Sequence, residues 1–414
     1  MVSPKICILT ETYYPVIGGG ETQARLLAEG LVSDGLLVQI VTRRSDADQK
    51  RYEEYGSIGV HRLAPVGSGQ LKKWGLLFSS LPALLKLRHQ YDLVFVSGFR
   101  IVGVSAVIAS KILGKRCILK ADSQGEMSGD FFEAGLARIG LRPSSRPFKA
   151  FLNLRNAVLK RADVFTAITS DIVAELDDSG VDKDAVRMIP NSVDTSQFHG
   201  VNGQRKRELR EKLGIPELNT AVVYTGRLVS YKGLPLLLNV WKAIQDRHPN
   251  ATLLLVGTGG LDIHNCEDEL KAFTAVNDME NSVRFTGSVR NVPEYLQASD
   301  IFVFPTENDA FPSSLIEAMS CELPVITTPV GAIKNIVADG ENGLMIQPGS
   351  YEQLFDALDK LITDNELAKR LGKAGWQTVQ ERYASTTVNK QYIELFRAAL
   401  NTADVISAEV TAKS

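Results

Sequence analysis

The sequence predicts an α/β protein built from two consecutive doubly wound domains, and three observations carry that prediction. Short β-branched and apolar runs alternate with longer amphipathic segments along most of the chain, the pattern of βαβ units on parallel sheets. At 414 residues the chain exceeds what one core ordinarily serves, so two domains of about 200 residues are the natural division. A polar, charged stretch at 195–219, punctuated by Gly203, Gly214 and Pro216, separates two rounds of the same rhythm.

In the first half, strands are expected at 6–10, 37–42, 60–63, 93–96, 116–119, 164–169 and 186–189. The second half repeats the pattern at 221–225, 252–257, 283–287, 301–305, 325–328 and 344–346. Beyond Pro348 the pattern is helical to about residue 401, and the final residues read as a frayed tail. The expected domains are 1–195, 196–385 and a C-terminal helix and tail at 386–414 that can pack back on the first domain.

Composition excludes several classes. Hydrophobic content of 44% with 23% charged residues is that of an ordinary globular protein. Net charge is −2, but residues 1–195 carry 25 Lys and Arg against 21 Asp and Glu, and the remainder 21 against 27. The basic half points to anions or a membrane surface as partners and is too mild for nucleic acid. Cys7, Cys117, Cys266 and Cys321 are scattered, without metal-ligand or disulfide spacing, and read as buried thiols. No apolar run is long enough to span a bilayer, and the run at 5–9 is too short for a signal-peptide core. The expected location is cytoplasmic, with peripheral contact at the inner membrane face left open.

The chemistry concentrates at strand ends. After the first strand come Gly18, Gly19 and Gly20, which permit positive φ and close backbone approach to a ligand, or serve only as a turn. They lack the spacing of a dinucleotide fingerprint. After the strand at 221–225, Arg227 and Lys232 can reach one crevice; a guanidinium fork and an ammonium together suit a diphosphate, although solvated cations are the ordinary alternative. Gly257 and Gly287 end the next two strands, so small residues line one edge. The segment 309–317, D-A-F-P-S-S-L-I-E, joins a strand to a helix and sets Asp309 and Glu317 eight residues apart. Carboxylates accept from hydroxyls, and helix-end amides bind anions, a combination suited to a phosphorylated sugar. Against this, Ser314 and Glu317 have capping-box spacing, and Asp309 alone would be a solvated loop acid.

Asp46-Ala47-Asp48 matches a metal-binding D-x-D but lies in a polar loop without the strand context of such a site. Two segments could meet lipid. Residues 71–90 place Trp74, Leu77, Phe78, Leu81 and Leu85 at near-helical spacing beside Lys72, Lys73, Lys86 and Arg88, with Pro82 expected to split them into two short pieces. Residues 131–161 carry seven basic side chains against Glu133, interleaved with Phe131, Phe132, Phe148 and Phe151. A basic outer face on an ordinary core is the alternative.

Taken in order, these motifs resemble the retaining glycosyltransferases of family 4. The resemblance runs through Gly18–20, then I-P-N-S-V-D-T at 189–195 with Phe198, then Gly226-Arg227 and Lys232-Gly233. It continues through V-G-T-G at 256–259, F-P-S-S-L-I-E-A-M-S at 311–320, L-P-V-I at 323–326 and D-G-E-N-G-L at 339–344. It implies the GT-B fold, two Rossmann-like domains facing a central cleft. It also implies transfer of a hexose from a nucleoside diphosphate sugar (UDP-hexose first, GDP-mannose second) to a glycan or lipid-linked acceptor, without cofactor or metal.

By that resemblance Arg227 and Lys232 neutralise the diphosphate, Glu317 accepts from the ribose, and Gly19 and Gly20 approach the phosphates. Asp309, with the backbone amides near Phe311–Ser313 and the Pro312 between them, meets the sugar, Gly257 lines the donor site, and Val289 and Arg290 meet the base. Three departures stand out. Asp309 replaces the first Glu of the family's E-x7-E. The family's acceptor-side His is absent from I-L-K-A-D-S-Q-G-E at 118–126, leaving Asp122, Glu126 and Lys120 as candidates. Glu322 occupies a position where Gly is usual, and Asn335 one where Glu is frequent. These departures also motivate an alternative reading, a catalytically degenerate nucleotide-sugar-binding protein on the same fold.

Overall fold

The computed structural model describes residues 3–16, 18–67, 70–132, 142 and 144–411. Residues 133–141 and 143 of the basic segment, and the side chains of Leu71, Lys72, Lys73 and Phe131, lie outside the described residues. The chain divides into two compact units, Met1–Asn191 with Val388–Ser414, and Ser192–Thr387.

The first unit is an eight-stranded sheet: β1 (Lys5–Thr10), β2 (Leu37–Arg43), β3 (Tyr52–Tyr55), β4 (Ile58–Leu63), β5 (Leu93–Ser97), β6 (Arg116–Ala121), β7 (Val164–Ala167) and β8 (Val186–Met188). Their order is β3-β4-β2-β1-β5-β6-β7-β8, parallel throughout except that β3 folds back antiparallel on β4. The sequence pattern did not reveal β3. Its residues, Y-E-E-Y, sit at the sheet edge with no buried position, so no apolar alternation marks them. Ile6, Ile8, Val38, Ile40, Phe95 and Ile118 form the apolar layer beneath the helix Gly19–Ser33. The C-terminal helix Ser385–Thr411 completes this core with Val388, Tyr392, Ile393 and Phe396, and the rings of Tyr392 and Phe396 each lie 5.4 Å from that of Phe95.

The second unit is a six-stranded parallel sheet: β9 (Thr220–Thr225), β10 (Ala251–Val256), β11 (Val283–Gly287), β12 (Ile301–Phe304), β13 (Val325–Thr327) and β14 (Leu344–Met345). The order is β11-β10-β9-β12-β13-β14. β10 and β12 are buried at every residue, as strands covered on both faces must be. In each unit the first strand pairs on both sides, so the strand order reverses there, between β1 and β5 and between β9 and β12. Loops leaving the carboxyl ends of such strands diverge and open a crevice.

The expected break at Pro82 does not occur: Gln70–Lys86 is one continuous helix. Pro82 is exposed and only four residues from the helix end, so its missing N–H frees a carbonyl near solvent.

Glu322 adopts the left-handed conformation, φ 62°, just after the helix Ser313–Ser320, where its N–H reaches Met319 O at 3.1 Å and that of Leu323 reaches Ala318 O at 3.2 Å. This is the helix-terminating position that glycine fills without a Cβ penalty. The left-handed cost of about 1–2 kcal/mol exceeds the roughly 0.4–1 kcal/mol of chain entropy that a glycine adds to the unfolded state. Glu322→Gly is therefore expected to stabilise the second unit by about 0.5–1 kcal/mol. Thermal unfolding checks this, and a lowered Tm would refute the strain argument.

Candidate active site

In the second unit, most of the residues expected to bind the donor gather at the reversal between β9 and β12. The chain leaves β9 through Gly226 and Arg227 into a short 3-10 turn, Ser230–Lys232. It leaves β12 through Pro305 and Thr306 toward Asp309. Lys232 Nζ lies 2.7 Å from Asp309 Oδ2 and donates to Asn308 O at 2.9 Å, tying the two loops together. Lys232 is only 8% exposed, and its ammonium sits over the rings of Tyr231 and Phe304. Burial pulls its pKa below the usual lysine value, and Asp309 partly restores it. An ammonium has three donors; among the described residues two of them are engaged, by Asp309 and Asn308, and a third can serve a ligand oxygen.

Arg227 is more open, its side chain 60% exposed, and is held by Asp262 and by the Tyr231 hydroxyl at 2.8 Å. Tyr231 thus links the two cations, its hydroxyl accepting from Arg227 and its ring lying 5.1 Å from the Lys232 ammonium. The Tyr224 hydroxyl donates to Arg227 O at 2.7 Å and fixes the turn from below.

Asp309 leads into Phe311 and Pro312 and the helix Ser313–Ser320, whose cap residue is Pro312 and whose start carries no side-chain cap. The capping-box alternative is therefore not realised: Ser314 lies inside the helix, and Glu317 does not return to its start. Among the described residues the Glu317 carboxyl has no hydrogen-bond partner, and burial alone pushes it up to about 7. A partly covered carboxyl with no protein partner is an acceptor in search of a donor. Phe311 is buried edge-on against Tyr383, with ring centroids 6.0 Å apart.

Gly257 has an internal reason for its identity. Its φ is 141°, and a Cβ there would lie 1.9 Å from Gly226 O. Its N–H donates to Gly287 O at 3.1 Å, drawing the ends of β9, β10 and β11 together. The following turn is pinned by Glu267, which accepts from Thr258 Oγ1 at 2.7 Å, Gly259 N at 2.9 Å and Lys271 Nζ at 2.7 Å. These bonds hold its carboxyl down at about 2, with Lys271 the largest cause. After β11, Val289 is half-buried and Arg290 is exposed.

In the first unit the glycine triplet corrects one expectation: none of the three adopts positive φ. Gly18 is extended at φ −168°, and Gly19 and Gly20 begin the helix Gly19–Ser33. Nothing lies within 4 Å of where a Cβ of Gly19 or Gly20 would stand, so the first turn presents bare backbone. Glu21 in that turn accepts from Thr12 Oγ1.

At the end of β6, Asp122 accepts from Ser97 Oγ at 2.9 Å and pairs with Lys120 at 2.8 Å. Lys120, 4% exposed, also donates to Asn191 Oδ1 at 2.9 Å. Glu126 is 1% exposed; its Oε1 accepts from the Asp122 N–H at 3.1 Å and Arg100 Nε at 3.3 Å. Burial is the main cause that raises it to about 7. Lys120 and Glu126 are too deeply buried to present themselves to an acceptor and instead brace Asp122, the more accessible of the three. Glu175 orders the loop from below, accepting from the N–H groups of Gly125, Met127 and Ser128 at 2.8–2.9 Å.

Sequence reasoning missed Tyr231, Asp262 and Glu267 in the second unit, and Ser97, Arg100 and Glu175 in the first. Asp262 and Glu267 follow the Gly-rich turn after β10, and that proximity was the available signal. Ser97 and Glu175 belong to other βα units and left none. Asp46 accepts from the Asp48 N–H at 3.0 Å, an ordinary loop turn.

Comparison with known proteins shows the family and the fold. The model for a glycosyl transferase 4-like domain matches residues 18–192, and that for glycosyl transferases group 1 matches residues 205–378. The chain is 23% identical to N-acetyl-alpha-D-glucosaminyl L-malate synthase of Bacillus anthracis, over 93% of this chain and 95% of that one. Among solved structures it resembles sucrose-phosphate synthase of Thermosynechococcus elongatus, with TM-score 0.78, 22% identity, and 96% and 100% of the two chains covered. It also resembles Anabaena HepE in complex with UDP and glucose, with TM-score 0.74, 20% identity, and 95% and 99% covered. Motif order, strand order and family models converge: the chain belongs to the group 1, family 4 glycosyltransferases of the GT-B fold.

Proposed function

We propose that this glycosyltransferase moves a hexose from a nucleoside diphosphate sugar to a glycan or lipid-linked acceptor in polysaccharide or glycoconjugate synthesis, with retention at the anomeric carbon. The observation that carries this reading is the buried Lys232–Asp309 pair beside Arg227 at the strand-order reversal. UDP-hexose is the first donor to test and GDP-mannose the second; the Anabaena relative in fold was solved with UDP and glucose.

In this mechanism the third N–H of Lys232 and the guanidinium of Arg227 take the charge that the diphosphate gains as the anomeric C–O bond breaks. Gly19 and Gly20 offer backbone to the phosphates, and Val289 and Arg290 contact the base. Asp309, its Oδ2 engaged by Lys232, offers Oδ1 to a sugar hydroxyl, and the amides near Phe311–Ser313 complete the sugar pocket. Glu317 accepts from the ribose hydroxyls. The acceptor oxygen attacks on the face the leaving group departs from, and its proton passes to the departing phosphate oxygen. Asp122, braced by Lys120 and Glu126, orients the acceptor hydroxyl in place of the family's His. Two cations and helix-end amides supply the electrostatics without a metal ion, and the enzyme works in the cytoplasm.

Thermal stabilisation across UDP-, GDP-, ADP- and dTDP-sugars tests the donor class. A shift for one nucleotide sugar, abolished in Arg227→Ala, is expected. A shift without transfer to any acceptor would favour a binding protein, and silence from folded protein would remove the donor site altogether.

Lys232→Ala is expected to lower kcat/KM by roughly 30- to 1,000-fold, about 2–4 kcal/mol of lost anion stabilisation, measured with chelator present. Near-normal turnover in a folded variant would end the diphosphate role.

Glu317 makes a pH-dependent contribution of defined sign. Its carboxyl is raised from 4.5 to about 7, so the folded chain holds a proton there that the unfolded chain releases earlier. Its contribution to stability is therefore lost as pH rises from about 4.5 to 7. Glu317→Gln, neutral at all pH, should be more stable than the parent by about 1–2 kcal/mol at pH 8 and by little at pH 4, after allowance for residual solvent contact. The same variant should raise the KM for donor above pH 7, where the parent's carboxylate binds the ribose. A pH-independent stability difference would contradict this assignment.

A further inference from the structure

Two helices of the first unit share a surface that the transfer chemistry does not use. Neither Gln70–Lys86 nor Arg146–Leu159 contains a single acidic residue. Trp74 of one meets Phe151 of the other with ring centroids 5.9 Å apart, and Phe132 packs against both, at 5.9 and 6.2 Å. One turn further along each helix the apolar side chains leave the core. Phe78 is 76% exposed and Leu154 is 71% exposed, and Phe151 itself is 39% exposed. Phe78 follows Trp74 by four residues and Leu154 follows Phe151 by three, so each lies on the same side of its helix as the contact between them. A lone exposed leucine needs no explanation, but three large apolar groups around one aromatic junction do. Lys86, Arg146 and Lys149 are exposed on the same two helices.

An apolar face on two helices that carry cations and no acidic residue matches a surface that is hydrocarbon below and negatively charged above. It does not match a second copy of itself, because a symmetric pairing would bring like charges together. Insertion across a bilayer is not at issue, since no helix among the described residues is long and apolar enough.

We propose that this face docks the protein on an anionic lipid surface. Phe78, Phe151 and Leu154 enter the boundary between headgroups and acyl chains, and Lys86 and Arg146 meet the lipid phosphates. The proposal goes beyond the transfer reaction and stands independently of it. If both hold, the acceptor is presented at the bilayer, which selects the lipid-linked class over a free glycan.

The test is co-sedimentation of the full chain with phosphatidylcholine vesicles containing a quarter phosphatidylglycerol, against pure phosphatidylcholine. Binding to the anionic vesicles is expected, weakening with added salt. The double variant Phe78→Glu, Leu154→Glu should lose about tenfold or more of that binding. Both positions are solvent-exposed, so its Tm and its thermal shift with a nucleotide sugar should match the parent's, which separates failure of docking from failure of the donor site. Equal sedimentation with both vesicle types, or equal binding by parent and variant, would overturn the proposal. So would a concentration-dependent dimer abolished in the variant, which would assign the face to a second copy.

Discussion

A buried ammonium governs the second unit's functional edge. Lys232, at 8% exposure, keeps its charge in a poorly solvated place only because Asp309 and the Asn308 carbonyl are there to meet it. An uncompensated buried charge costs about 3–5 kcal/mol, so the loop after β12 is held to the turn after β9 by a constraint that few alternatives satisfy. The rest of the edge follows from that tether. Thr306 Oγ1 donates to Asn308 O at 3.0 Å, Tyr231 meets Lys232 with its ring and Arg227 with its hydroxyl, and Asp309 is presented with one oxygen committed. The backbone on the other side is fixed as firmly, because Gly331 packs where a Cβ would lie 1.9 Å from Asp309 O.

The first unit solves a similar problem with similar chemistry. Lys120 is buried at the carboxyl end of β6, and burial opposes its charge, while Asp122 with Tyr392 and Glu126 more than restores it. Its contacts with Asp122 and Asn191 join the loop after β6 to the turn where the chain leaves this unit. In both units a lysine hidden beneath the edge sets the position of an aspartate nearer the surface. This arrangement separates two roles that a sequence motif cannot distinguish, since Lys120, Asp122 and Glu126 all lie within seven residues yet only Asp122 retains appreciable exposure.

Much of the fold was legible because its signals are local. Strands buried on both faces write themselves as apolar runs, and β9, β10 and β12 were found within a residue or two of their ends. The edge strand β3 was invisible because it has no fully buried residue to mark an apolar alternation. Pro82 was misread because a proline's effect depends on where in the helix it falls and whether its face is packed, and neither is local. The spacing of Ser314 and Glu317 allowed two readings, and the cap at Pro312 decided between them. Glu322 was noted only as a departure, and its left-handed backbone explains why a glycine suits that position.

By itself, the sequence determined the α/β class, the two rounds of strand and helix, the family, and the candidate residues at strand ends. Periodicity, turn residues and motif order are all encoded along the chain. Only the tertiary structure decided which of those residues meet. The Lys232–Asp309 pair spans 77 positions, and the Trp74–Phe151 junction spans as many. Contacts of that separation are set by which strands become neighbours and which helices cover them, and strand order is a property of the packed sheet rather than of any segment within it.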